Sequence, residues 1–211
     1  MIGEKDFDAV RKNGFALFDL PHSSEELEIA AVISDVSVLS YMNRPSEEMQ
    51  LTAIEQNGYA IQYIKNPSEE VQLVAVKQDG YAIQFIKNPS EEVQLAAVKQ
   101  NGLAIQHIQN PSEEVQLTAV NQTGYTIRFI KNPSEDAQLA AVSQNGFAIK
   151  YIDDPCEKVQ LAAVSEIWRA IKYIDDPTED VQFTAFRNNR RAVGFIKNPC
   201  IAIKLSMVEF E

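Results

Sequence analysis

The chain has 211 residues, 45% hydrophobic and 23% charged, with two cysteines and a net charge of −11. That is the composition of a folded domain, not of a disordered or fibrous chain, and the negative balance argues against direct binding of nucleic acid or of anionic lipid. No apolar run reaches the roughly 18 residues a membrane helix needs, and the opening MIGEKDFDAV lacks the basic and apolar regions of a secretory signal, so the expected setting is cytoplasmic, with no membrane.

A single 22-residue register runs from end to end without insertion or deletion: nine full repeats over residues 1–198 and a half repeat over 199–211, read as one repeat domain, 1–211. A fixed period of this size marks a solenoid, in which each unit is too small to bury its apolar face alone. Seven repeats open on proline, at Pro45, Pro67, Pro89, Pro111, Pro133, Pro155 and Pro177, and the half repeat on Pro199; only Pro21 lies elsewhere. The run Asn66-Pro67-Ser68-Glu69 predicts a helix start, with Asn as the cap, Pro in the first helical position and Glu reaching back. The same start recurs at Asn88, Asn110, Asn132, Asp154 and Asp176. A helix of about eleven residues follows. It is expected to stop at Gly58, Gly80, Gly102, Gly124 or Gly146, where glycine would supply the left-handed conformation of a C-terminal cap.

A shorter apolar segment such as Tyr81-Ala82-Ile83-Gln84-Phe85-Ile86 comes next. Its alternation permits a strand, but two residues of turn before proline, and its Ala and Gln, favour a short α or 3-10 helix. On a helical wheel Val71, Leu73, Ala75 and Val76 fall within one broad apolar arc. The Ala75 column suggests close helix approach, and Ile83 and Ile86 with their counterparts supply the opposite wall. The fold class is therefore all-α, an α-solenoid of tandem 22-residue two-helix repeats, roughly 90 Å long at about 10 Å per layer. The half repeat keeps core-like Ile203, Leu205 and Val208 and adds Lys204, Ser206, Glu209 and Glu211, as a lid would.

Chemistry-bearing residues are few. The glutamine column from Gln50 to Gln182 lies inside the apolar arc, so those side chains are expected to bond backbone rather than ligand. Paired acids Glu47, Glu48, Glu69, Glu70, Glu91, Glu92, Glu113 and Glu114 sit where the helix dipole favours negative charge. Stacked in layers, they would form an acidic ridge able to dock a basic partner. Cys156 and Cys200 share a repeat position two units apart, about 20 Å by layer spacing, too far for a disulfide; both are expected as thiols, as in a reducing compartment. His22 and His107 are isolated, His107 standing where other repeats carry packed aromatics. No nucleophile–base pair, metal cluster or glycine-rich phosphate loop appears, so the expectation is no enzyme, no metal and no cofactor.

The repeat breaks near its end, where the Gly-Tyr pair becomes Trp168-Arg169 and then Arg190-Arg191, with Arg187 close by. Trp and Arg are enriched at binding hot spots, so Trp168, Arg169, Arg187, Arg190 and Arg191 form a candidate partner-binding corner, although repeats near a stack end also vary as caps. The expected function is a non-catalytic scaffold for a protein partner, with homo-oligomers left open. The alternative is an acidic inhibitor that mimics nucleic acid and occupies the basic cleft of a host or phage-defence protein.

The phrase VQLAAVKQNGLAIQHIQNPSEE, residues 93–114, resembles a bacterial and viral family of short helical repeats, through Gln-Leu, Ala-Val, Gln-Asn-Gly and Asn-Pro elements that recur over nearly the whole chain. That resemblance implies a helical repeat and no activity, since the family has no established catalytic residues. The repeat is also similar to leucine-rich repeat variants, which alternate α and 3-10 helices, but lacks the cysteine cluster that binds iron–sulfur in some of them. The near-identity of its repeats suggests recent duplication, as in phage proteins and secreted effectors.

Overall fold

The computed structural model describes residues 2–208, and among these every regular element is an α or 3-10 helix and none is a strand. The chain falls into two compact units, residues 1–109 and 110–211. The N-terminal unit runs α1 (Glu4–Lys12), η1 (Gly14–Asp19), α2 (Glu25–Ser34), η2 (Val36–Tyr41), α3 (Glu47–Gln56), η3 (Gly58–Tyr63), α4 (Glu69–Gln78), η4 (Gly80–Phe85), α5 (Glu91–Gln100) and η5 (Gly102–His107), where η marks a 3-10 helix. The C-terminal unit runs α6 (Glu113–Gln122), η6 (Gly124–Phe129), α7 (Glu135–Gln144), η7 (Gly146–Tyr151), α8 (Glu157–Glu166), η8 (Trp168–Tyr173), α9 (Glu179–Asn188), η9 (Arg190–Phe195) and α10 (Ile201–Val208). Within each unit α-helices pack on α-helices and 3-10 helices on 3-10 helices of the neighbouring repeat. The result is a helical-repeat solenoid with an α side and a 3-10 side.

The core is columnar. Val71, Ala75 and Val76 of α4 are fully buried, as are Val93, Ala97 and Val98 of α5 and Val159, Ala163 and Val164 of α8. Ile61, Ile83, Ile149 and Ile171 close it from the 3-10 side at 1% exposure. The Leu73 column stays half-buried on the outer flank of the arc. In the half repeat Ile203 is buried, whereas Leu205, expected in the core, is 62% exposed: one α-helix without a 3-10 partner can bury only a narrow stripe. The Val208 side chain, Glu209 and Glu211 lie outside the described residues.

Two local expectations are corrected. The α-helix cap is not Asn66 but Ser68, whose hydroxyl accepts the Val71 N–H at 3.3 Å, and Ser46, Ser90, Ser112, Ser134 and Thr178 do the same in their repeats. Pro67 therefore lies one residue before the cap. Asn66 takes the left-handed conformation, φ 56°, as do Asn88, Asn110 and Asp154, a region where Asn and Asp are the least penalised side chains after glycine. The second correction concerns glycine, since no described glycine has positive φ. Asn57 and Asp79 end their α-helices in extended conformation and cap the following 3-10 helices through side-chain Oδ1, at 2.9 Å in both. Glycine follows because space is absent: a Cβ on Gly80 would stand 2.6 Å from the Ala97 carbonyl oxygen, and one on Gly58 2.9 Å from that of Ala75.

Candidate interaction surface

Two glutamine columns tie the repeats and so set the rigidity of any surface they carry. The first behaves as expected: the amides of Gln72, Gln94 and Gln138 donate to the carbonyls of Pro67, Pro89 and Pro133 at 2.9–3.0 Å, across the turn before the helix. Gln116 and Gln182 also accept, from the Ser134 and Cys200 amides of the next repeat, both at 2.8 Å. The second column, at the C-terminal end of each α-helix, bridges backward. Gln100 Oε1 accepts the Gly80 N–H at 2.7 Å; Gln144 accepts from Gly124 and donates to the Val120 carbonyl, both at 2.8 Å. These satisfy helix-end groups that would otherwise be orphaned.

The acids at the α-helix N-termini are exposed in both units, and part of the row is internally engaged. Ser68 donates to Glu47, Ser90 to Glu69 and Thr178 to Glu157, while Lys158 pairs with Glu135 at 2.8 Å. One acid at each of these helix starts thus joins successive repeats; Glu48, Glu70 and Glu92 form the outward row of the N-terminal unit.

On the 3-10 side of the C-terminal unit the second and fifth residues of each short helix point outward, because a 3-10 helix repeats every three residues. Tyr125 and Arg128 occupy these positions in η6, Phe147 and Lys150 in η7, and Arg169 and Lys172 in η8. The Arg128 guanidinium lies over the Tyr125 ring at 4.8 Å, Phe129 at 5.1 Å and Tyr151 at 5.4 Å. Lys150 lies over Tyr151 at 4.5 Å and Lys172 over Tyr173 at 4.5 Å. Between repeats the rings meet edge to face: Tyr125 with Tyr151 at 5.8 Å and Phe147 with Tyr173 at 6.1 Å. The hydrogen bond to Tyr151 pushes the Lys150 ammonium above the ordinary lysine value; the lesser causes include Arg128, whose charge opposes that shift. In η3, η4 and η5 of the N-terminal unit the fifth positions hold Gln62, Gln84 and Gln106 instead.

The predicted corner divides. Trp168, half-buried, replaces the close-packed glycine and lies against Phe195 at 5.8 Å, with the Arg169 guanidinium 4.4 Å over the indole. Asn188 stands where other repeats carry the bridging glutamine; one methylene shorter, it still donates to Val164 O at 3.1 Å and leaves room for the indole. Arg187, Arg190 and Arg191 are exposed on α9 and η9. The basic row at Arg128, Lys150 and Lys172 was not singled out from the sequence, although the signal is plain: one repeat position changes from Gln to a cation at the sixth repeat and stays cationic for three.

Elsewhere, exposed Phe18 and Tyr41 cluster with half-buried Phe15 in the N-terminal unit. His107 pairs edge-on with Tyr81 at 5.8 Å but stays exposed rather than packed away, because its column lies at the rim of the 3-10 side. Both cysteines are free thiols, Cys156 exposed at a helix cap. Among the described residues no group of three or more His, Cys, Asp or Glu could hold a metal ion, and no helix is long and apolar enough to cross a membrane. Comparison with family models, with curated protein sequences and with solved structures returns no match.

Proposed function

We propose that the chain is a non-catalytic, cytoplasmic repeat scaffold that holds a protein partner on the 3-10 side of its C-terminal unit. The observation that carries this reading is the exposed array of rings and cations there: Tyr125, Tyr173 and Phe195 are 47%, 39% and 44% exposed, and Trp168 and Arg169 form a stacked pair beside them. Large aromatic and Arg side chains, ordered before contact, are the residue types on which interface energy concentrates. The free thiols support a reducing compartment.

The test is a photo-crosslinking amino acid at position 169, with position 143 on the α side as control. Discrete protein adducts at 169 and none at 143 are expected in cells that make the protein. Absence of protein adducts at 169 would sink the reading. The nucleic-acid-mimic alternative retains support in exposed Glu48, Glu70 and Glu92; it expects adducts near residue 70 that vanish steeply with added salt.

A further inference from the structure

We propose that the row Arg128–Lys150–Lys172 is a docking track for an acidic peptide segment in polyproline II conformation, with carboxylates at every third residue; this rests on the protein-binding reading above. The three cations occupy the same position of three consecutive 3-10 helices, so successive charges are one helix layer apart, about 8–10 Å. A polyproline II segment advances about 3.1 Å per residue with three residues per turn, which returns a side chain to the same face about every 9.3 Å. A flat strand would not match, because its side chains alternate faces and every third residue points away.

The charges are preset and uncompensated. Each cation is held over one or more rings, at 4.5 Å for Lys150 and Lys172 and 4.8 Å for Arg128, so little freedom is lost on binding. Among the described residues none of the three makes an ion pair, whereas Lys158 and Lys197 of the same unit are paired with Glu135 and Asp175. In a chain with 30 acidic side chains, a column of like charges left without a carboxylate fits an anion supplied from outside. Ring edges between the cations suit the prolines of such a segment, as aromatic-lined tracks do generally.

Single-stranded nucleic acid fits less well. Its bases need open ring faces to stack on, and here the cations already cover faces of Tyr125, Tyr151 and Tyr173.

The experiment is fluorescence anisotropy on the whole chain with two labelled heptapeptides of identical composition. One has Glu at its first, fourth and seventh positions and Pro at its second and fifth; the other has its three Glu contiguous. The triple variant R128Q/K150Q/K172Q restores the residue that the N-terminal unit carries at the same position, and circular dichroism checks that it folds. The spaced peptide should bind roughly tenfold tighter than the contiguous one, and the variant should lose roughly tenfold, on the scale of three exposed ion pairs. Equal binding of both peptides, tighter binding of an oligothymidylate of equal charge, no measurable binding of the spaced peptide, or an unaffected variant would each overturn the proposal. Adducts at position 169 that survive in the triple variant would overturn the track and leave the scaffold reading standing; their absence from the unaltered chain removes both.

Discussion

Gly80→Ala separates two reasons for a glycine that give opposite signs. With φ in the ordinary negative region, alanine costs no backbone strain and narrows the unfolded ensemble, a gain of about 0.4–1 kcal/mol. Against that, the new Cβ would stand 2.6 Å from the Ala97 carbonyl oxygen and 2.9 Å from Gln100 Oε1. The first of these is backbone, so α5 must move away from η4. Overpacking of this kind costs about 1–3 kcal/mol, and a stretched Gly80 N–H bond to Gln100 adds up to about 1 kcal/mol. The net expectation is a loss of about 1–3 kcal/mol, seen by circular dichroism as a fall in melting temperature of roughly 2–10 °C. Gly194→Ala is the matched control: nothing lies within 4 Å of its Cβ position, so only the gain of about 0.4–1 kcal/mol remains. The reasoning fails if Gly80→Ala is as stable as the unaltered chain, or if Gly194→Ala loses as much.

Cys156 caps α8 without a side-chain hydrogen bond, unlike Ser134 and Thr178 in the flanking repeats; Cys156→Ser should therefore raise the urea midpoint by the equivalent of about 0.5–1 kcal/mol, and a fall would contradict the cap assignment. Gln144→Met keeps the volume but deletes the bonds to Gly124 and Val120; a loss of about 1–3 kcal/mol is expected, with faster amide exchange at Gly124, and unchanged protection there would refute the bridge. Trp168→Gly and Asn188→Gln should couple favourably, the double variant exceeding the sum of the singles by about 0.5 kcal/mol or more; strict additivity would mean that Asn188 does not make room for the indole. The Lys197 hydrogen bond and charge hold the Asp175 carboxyl below its ordinary value, so that interaction favours the folded state above the ordinary carboxylate range and is lost as pH falls through the depressed value. In an NMR titration, Lys197→Met should move the Asp175 midpoint upward; no movement would remove the pair.

The repeat, its two-helix content and the buried columns were legible because each rests on periodicity. Val71, Ala75 and Ile83 recur where a core must recur, and no tertiary surprise moves them. Asn-Pro satisfies a cap pattern in sequence and so points two residues too early for the helix starts; only the backbone shows Asn66 left-handed and the Ser68 hydroxyl aimed at the Val71 amide. In sequence Gly80 reads as dihedral freedom, whereas its constraint comes from Ala97 on the next repeat, a contact that no local window contains. Leu205 matches an apolar position of the full repeats, yet it is exposed on a half repeat. Of the candidate surface, Trp168 and Arg169 stood out as breaks in the pattern. The cationic row did not, because Gln106 giving way to Arg128 changes charge without disturbing register.

The bridges between repeats run over separations of 18 to 24 residues: 18 from Gln116 to Ser134, 20 from Gly80 to Gln100 and 24 from Val120 to Gln144. Such a ladder makes chain length a quantised trait. Deleting or inserting 22 residues anywhere within the regular repeats returns each bridging glutamine to the same register, so recombination between near-identical copies keeps the ladder in frame. An insertion of one or two residues inside a repeat breaks the bonds on both sides of it. A gene built this way is free to lengthen or shorten its binding face by whole steps, and the shared frame of all nine repeats is the record that such filtering would leave.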